Sequence, residues 1–178
     1  MVIEGMAGID DNRKGSSAIL GGLLNLGRRV ALAVIVLWTG VAAARDLAVI
    51  VNKESTIQSL GSAEAVKICK GQTSHWPDGK AITLITRDPG AAEMKVALEK
   101  IYGMSKEEVT ALIAGANHGR TNHPAIEIAE SDEALVKRVE STPGAVGLVD
   151  VYSITSGVNV VKIGGKLPLE PGYPWHGN

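Results

Sequence analysis

Residues able to do chemistry are thinly scattered along this chain, and their spacings match no catalytic constellation. No serine stands in a Gly-x-Ser-x-Gly elbow, the strained strand-to-helix turn that exposes a nucleophile. Gly79-Lys80 lacks the phosphate-cradling frame Gly-x-x-x-x-Gly-Lys-Ser/Thr, because Ser74 takes the first glycine's place and Ala81 follows the lysine. His118 and His123 share a loop and, with Glu127, offer three metal-type donors. They lack the helical i, i+4 relation that sets two imidazoles on one face, so they read as exposed loop residues. The acidic pairs Glu107-Glu108 and Asp132-Glu133 fall in first helical turns, where the helix dipole accounts for them. The single cysteine, Cys69, excludes an intramolecular disulfide and lies in a helical pattern as a buried, inert thiol. The expectation is a protein that is not an enzyme and holds no metal or cofactor.

The more promising places are loops that meet helix starts at strand ends. In open α/β sheets such loops line the ligand crevice, and a helix start presents unpaired N–H groups at the positive end of its dipole, which suits an anion. Three loops qualify: Asn52 to Ser59, Arg87 to Ala92, and Thr142 to Ala145. Arg87 with the amides of Gly90, Ala91 and Ala92 forms the expected anion contact, and Asn52, Ser55, Thr56, Thr142 and Gly144 are expected to complete the pocket. The alternative for Arg87 is a surface charge paired with Asp88 or Glu93.

The elements that must position these residues follow from apolar patterning. Leu47 to Val51 is a continuous apolar, β-branched run, the mark of a strand buried on both faces; Ile82 to Thr86 reads as a second apolar strand, Ala145 to Val149 as a third, buried one, and Asn159 to Ile163 as a fourth. Between them lie helical signals. Ser62 reads as an N-cap before Ala65, Val66 and Cys69, with Gly71 as the stop. Met94, Ala97, Leu98 and Ile101 follow i, i+3, i+4, i+7 spacing and end at Gly103. Ser105 and Glu108 form a capping box before Val109, Leu112 and Ile113, and Ser131 caps a helix bearing Leu135, Val136 and Val139. Gly115 to Pro124 reads as a polar loop, and Trp76-Pro77-Asp78-Gly79 as a tight turn. This alternation predicts an α/β domain: a single sheet of largely parallel strands flanked by helices.

Composition agrees. At 178 residues, with 45% hydrophobic and 21% charged, the chain suits one globular core. A net charge of −1 without a basic run argues against nucleic acid as a partner. Arg28-Arg29, the apolar run Val30 to Val41 and Ala42-Ala43-Ala44 have the three parts of a secretory signal. The apolar run is about a dozen residues, short of the roughly 20 that span a bilayer. Residues 1–44 are therefore expected to be a signal peptide, 45–165 the domain and 166–178 an irregular tail. The mature protein is expected to be periplasmic or secreted, with no stable membrane anchor.

One stretch of sequence also carries a family likeness. Lys70-Gly71 through Trp76-Pro77-Asp78-Gly79, then Ile82 to Arg87 with Gly90, then Thr142-Pro143-Gly144-Ala145-Val146-Gly147-Leu148-Val149, resemble the substrate-binding proteins of phosphate-type ABC transporters, over about Asp46 to Gly165. The resemblance implies one lobe of a type II periplasmic-binding-protein fold. It also implies binding of phosphate or a related oxyanion in ABC-linked uptake, with a transporter or another envelope protein as partner. In full-length relatives the arginine is followed by Gly-Ser-Gly-Thr. Here Arg87 and Gly90 match, while Ala91, Ala92 and Glu93 stand where Ser, Gly and Thr would be. Those replacements keep open a second reading: a lone lobe serving as an interaction or sensor module in the envelope.

Overall fold

The computed structural model describes residues 45–120 and 122–177; the leader expected over 1–44 lies outside them. Six strands form one sheet in the order β2-β6-β1-β5-β3-β4. They are β1 (Leu47–Asn52), β2 (Ser59–Leu60), β3 (Thr83–Arg87), β4 (Ile126–Ala129), β5 (Ala145–Asp150) and β6 (Val158–Ile163). Three of the five pairings are parallel: β2 with β6, β3 with β4, and β3 with β5. The central strand β1 runs antiparallel to both β5 and β6, with Leu47 level with Asp150 and Val49 level with Val161. The result is a mixed α/β fold, largely parallel, around an antiparallel centre.

Every residue of β1 and β5 is buried, as their continuous apolar runs require. The two-residue period still sorts their side chains. Leu47, Val49 and Val51 join Leu84, Val146 and Leu148 on one face, whereas Ala48 and Ile50 join Ile85 and Val149 on the other. The first face is covered by three helical segments and the chain's C-terminal end. The second is covered by one helix.

The first helix, α1 (Ser62–Cys69), starts one residue earlier than its sequence predicts. Gly61 is the cap position and Ser62 the first helical residue, with no side-chain cap bond. The next segment, α2, is not one regular helix. It opens as a 3-10 turn at Ala92–Met94, is α-helical over Lys95–Ala97 and closes as a π turn over Leu98–Tyr102, stopped by left-handed Gly103. Met94, Ala97 and Ile101 nevertheless all reach the core. Helix α3 (Lys106–Asn117) has the expected capping box, Ser105 and Glu108 exchanging hydrogen bonds of 2.8 and 3.3 Å. It runs three residues, Gly115 to Asn117, into the stretch expected to be loop. Helix α4 (Asp132–Ser141) is capped by Ser131, whose hydroxyl accepts the Ala134 amide at 3.1 Å. It lays Leu135, Val136 and Val139 on the second face.

Strand β4 lies between the expected Gly115 to Pro124 loop and the Ser131 cap, where the sequence suggests no element. It pairs with β3 as an edge strand, and its Ile128 stays 45% exposed. The tail is irregular yet firmly packed. Tyr173 and Trp175 are buried, the Leu47 amide donates to the Trp175 carbonyl at 3.1 Å, and the Tyr173 hydroxyl donates to the Leu47 carbonyl at 2.8 Å. The buried Asp46 carboxylate accepts the Leu169 amide at 2.6 Å and bonds the His176 ring. No described helix is long and apolar enough to cross a membrane.

Candidate functional site

The topology divides the expected ligand residues between two opposite edges of the sheet. Thr83 of β3 lies level with Ala145 of β5. Arg87, four residues further along β3, is therefore about 13 Å from the β5 start at roughly 3.3 Å per residue. Because β1 is antiparallel to β5, its end at Asn52 meets the β5 start. Asn52, Ser55, Thr56, Thr142 and Gly144 thus share the amino-terminal edge of β5, while Arg87, Gly90, Ala91 and Ala92 occupy the carboxyl edge of β3. They do not form one pocket.

At the amino-terminal edge the residues are committed to structure. The Asn52 amide nitrogen donates to the carbonyls of Val139 at 3.1 Å and Glu140 at 2.7 Å, closing the end of α4, and its oxygen accepts the Glu54 amide at 2.9 Å. The Ser55 hydroxyl accepts the Ile57 amide at 3.3 Å, and Thr56 is exposed. The Thr142 carbonyl accepts the Ala145 amide at 3.1 Å. Buried Trp76 donates from its indole nitrogen to the Gly144 carbonyl at 2.9 Å, so the Trp-Pro-Asp-Gly turn is an anchor for this edge. Gly144 has φ +82°, and a Cβ there would stand 2.4 Å from the Ala81 carbonyl oxygen, so a side chain does not fit. The cleft between these loops holds about 10 Å³, room for about one water. Glu54 and Asp78 on its wall oppose an anion, and Lys80 is paired with Asp78 at 3.4 Å.

At the carboxyl edge the arrangement is electrostatic. Along β3 the alternation sends Leu84 and Thr86 to the α2 face, with the Thr86 hydroxyl on the Met94 sulfur at 3.3 Å, and sends Ile85 to the α4 face. Arg87 shares the parity of Ile85, so its side chain goes to the start of α4 rather than to Asp88 or Glu93. Its Nη1 donates to Asp132 Oδ1 at 2.9 Å, and the two side chains are only 17% and 12% exposed. The Ser153 hydroxyl donates to the other Asp132 oxygen at 3.1 Å. Arg87 Nε is buried and has no hydrogen-bond partner. Glu133, also in the first turn of α4, is held below the usual carboxylate range by its own backbone amide, then Ser131, then the Arg87 charge. The Gly90 amide donates to Asp88 Oδ1 at 2.7 Å and the Ala91 amide to the Asp88 carbonyl at 2.9 Å. Ala92 only opens the 3-10 turn.

Asp132 and Ser153 are the residues that sequence reasoning missed. Asp132 looked like an ordinary first-turn acid. The available signal was the parity of β3, which assigns Arg87 to the face of α4. Burial pushes the Cys69 thiol up to about 12, consistent with an inert core cysteine. Glu127 is paired with Arg138 at 3.0 Å.

No protein-family profile matches the chain, and no curated protein matches it in sequence. Solved structures do. The chain is similar to PstS from Borrelia burgdorferi (TM-score 0.57, 17% identity, 76% of this chain and 56% of that one). It is also similar to an ABC-type phosphate transport receptor from Vibrio cholerae (TM-score 0.53, 19% identity, 76% and 55%). A phosphate-binding protein from Stenotrophomonas maltophilia matches with TM-score 0.52 and 18% identity over 70% of this chain and 40% of that one. The chain thus spans about half the length of these structures. What it shares with them is the fold: a mixed α/β sheet flanked by helices, as in phosphate-binding substrate receptors.

Proposed function

We propose that this chain is a binding-protein-like lobe for phosphate or a related oxyanion, acting outside the cytoplasm after removal of a leader over residues 1–44. The domain over 45–165, tied down by the 166–178 tail, binds rather than catalyses. Its recognition group is Arg87, and an ABC transporter or another envelope protein is the partner. The observation that carries this reading is the Arg87 guanidinium. It is mostly buried at the carboxyl edge of the parallel strands β3 and β5, at the start of α4, with its Nε unpartnered. A buried cation with free donors at such an edge is suited to an oxyanion. Two of the similar structures are named for phosphate, and one of these is named as a transport receptor.

A second reading has its own support. Asp132 already sits on Arg87, and the chain spans about half of the phosphate receptors it resembles. Both features suit a lobe retained as an interaction or sensor module. Thermal unfolding of the purified protein with phosphate, sulfate and arsenate separates the two. A ligand at 100 times its Kd adds about 2.7 kcal/mol, and Arg87→Ala abolishes the shift. No shift with any of the three at millimolar concentration rejects oxyanion uptake in favour of the second reading.

A further inference from the structure

The geometry points to Asp132 as a built-in occupant of the Arg87 anion site, a residue that sets how strongly the site competes for an external oxyanion. This inference rests on Arg87 being the anion-recognition group, as proposed above. Three groups favourable to negative charge converge on the Asp132 carboxylate. Arg87 Nη1 lies 2.9 Å from one oxygen, Ser153 Oγ lies 3.1 Å from the other, and the residue itself opens α4, so the helix dipole adds to both. An external oxyanion drawn to the same place meets a carboxylate already there.

The pair is not the one that purely structural packing would favour. A guanidinium has five N–H donors and a carboxylate can accept two of them in parallel. Here the contact uses one nitrogen, and Nε is buried without any partner. Burying an unsatisfied donor is costly, and a tetrahedral oxyanion, with more acceptor atoms than the one carboxylate oxygen offered, supplies what Asp132 leaves unmet. Ser153 holds the carboxylate by its far oxygen, so it positions the occupant without touching Arg87.

The test measures inorganic phosphate and sulfate binding calorimetrically to the wild-type protein and to three variants: Asp132→Asn, Ser153→Ala and Arg87→Ala combined with Asp132→Asn. Far-ultraviolet circular dichroism and urea midpoints report folding. Asp132→Asn keeps shape and a polar first-turn residue but removes the charge, and it is expected to bind phosphate at least tenfold tighter than wild type. Ser153→Ala loosens the carboxylate and is expected to gain about two- to threefold. The double variant is expected to lose the gain. Phosphate binding by wild type with no gain in Asp132→Asn overturns the role of Asp132 while leaving oxyanion binding intact. Binding only after Asp132→Asn supports this inference and rejects oxyanion uptake by the natural chain. No binding by any variant overturns both. If Asp132→Asn fails to fold, unchanged binding in Ser153→Ala overturns the inference.

Discussion

Replacing Asn52 by alanine separates a structural asparagine from a ligand-binding one. Its side chain makes three hydrogen bonds: two donated to the last carbonyls of α4, at 3.1 and 2.7 Å, and one accepted from Glu54. Each contributes about 1 kcal/mol net, and the buried Val139 carbonyl keeps the Thr142 amide as a donor at 3.3 Å. The Glu140 carbonyl is partly open and can be rehydrated. The expected loss is about 2 to 4 kcal/mol. With a urea slope of about 1.5 kcal/mol per molar, within the usual range for small proteins, the midpoint falls by about 1.3 to 2.7 M. Asn52→Asp is expected to be at least as damaging, because it keeps the volume but sets a negative charge against two carbonyls. Urea unfolding followed by circular dichroism measures both. A loss below about 0.5 kcal/mol, combined with a tenfold drop in phosphate affinity, would refute the assignment and restore Asn52 to the ligand site.

Alkaline sensitivity follows from the buried thiol. The folded protein holds the Cys69 proton up to about 12, whereas an unfolded thiol releases it near 8.5. Stability is full below that pH and falls as pH rises toward 12, by about 1.4 kcal/mol per unit from this one group. Tyr102 and Tyr173, also pushed upward chiefly by burial, extend the fall beyond pH 10. Urea midpoints between pH 8 and 10 should decline for wild type and stay nearly level for Cys69→Ala; a level wild-type profile contradicts the burial. Trp175→Ala is expected to cost about 3 to 5 kcal/mol, since the ring is 2% exposed and packs edge-on against Tyr173 at 6.5 Å. A loss below 1 kcal/mol in chemical denaturation would show that the tail is dispensable.

Much of the fold could be read from the sequence because its strongest signals are local. Continuous runs such as Leu47 to Val51 and Ala145 to Val149 state both strand and burial, and the Ser105–Glu108 box states a helix start. Strand β4 was not legible, since Ile126-Glu127-Ile128-Ala129 is short, follows a polar loop and leaves Ile128 exposed. The mixed helical type of α2 was hidden behind an apolar spacing that 3-10, α and π turns all satisfy well enough to bury Met94, Ala97 and Ile101. Strand direction has no residue signature. Reversal of β1 carries the Asn52 loop to the edge opposite Arg87, whereas the Thr142 loop precedes β5 and lies opposite the end of the parallel strand β3 in any case. Asn52 and Asp132 were misread for a related reason: each has its decisive partner tens of residues away, Val139 and Arg87.

The antiparallel central strand also governs the order in which this domain can assemble. Leu47 pairs with Asp150 and Val49 with Val161, so the earliest described strand has both of its ladders with segments about a hundred residues downstream. The Gly177 amide then donates to the Arg45 carbonyl at 3.1 Å, bringing the two ends of the described chain together. Pairings this distant make loop closure the obstacle to folding and slow it relative to a domain of local contacts. A growing chain cannot seat this strand until residues 145–163 have been made, so the sheet closes late and as one unit.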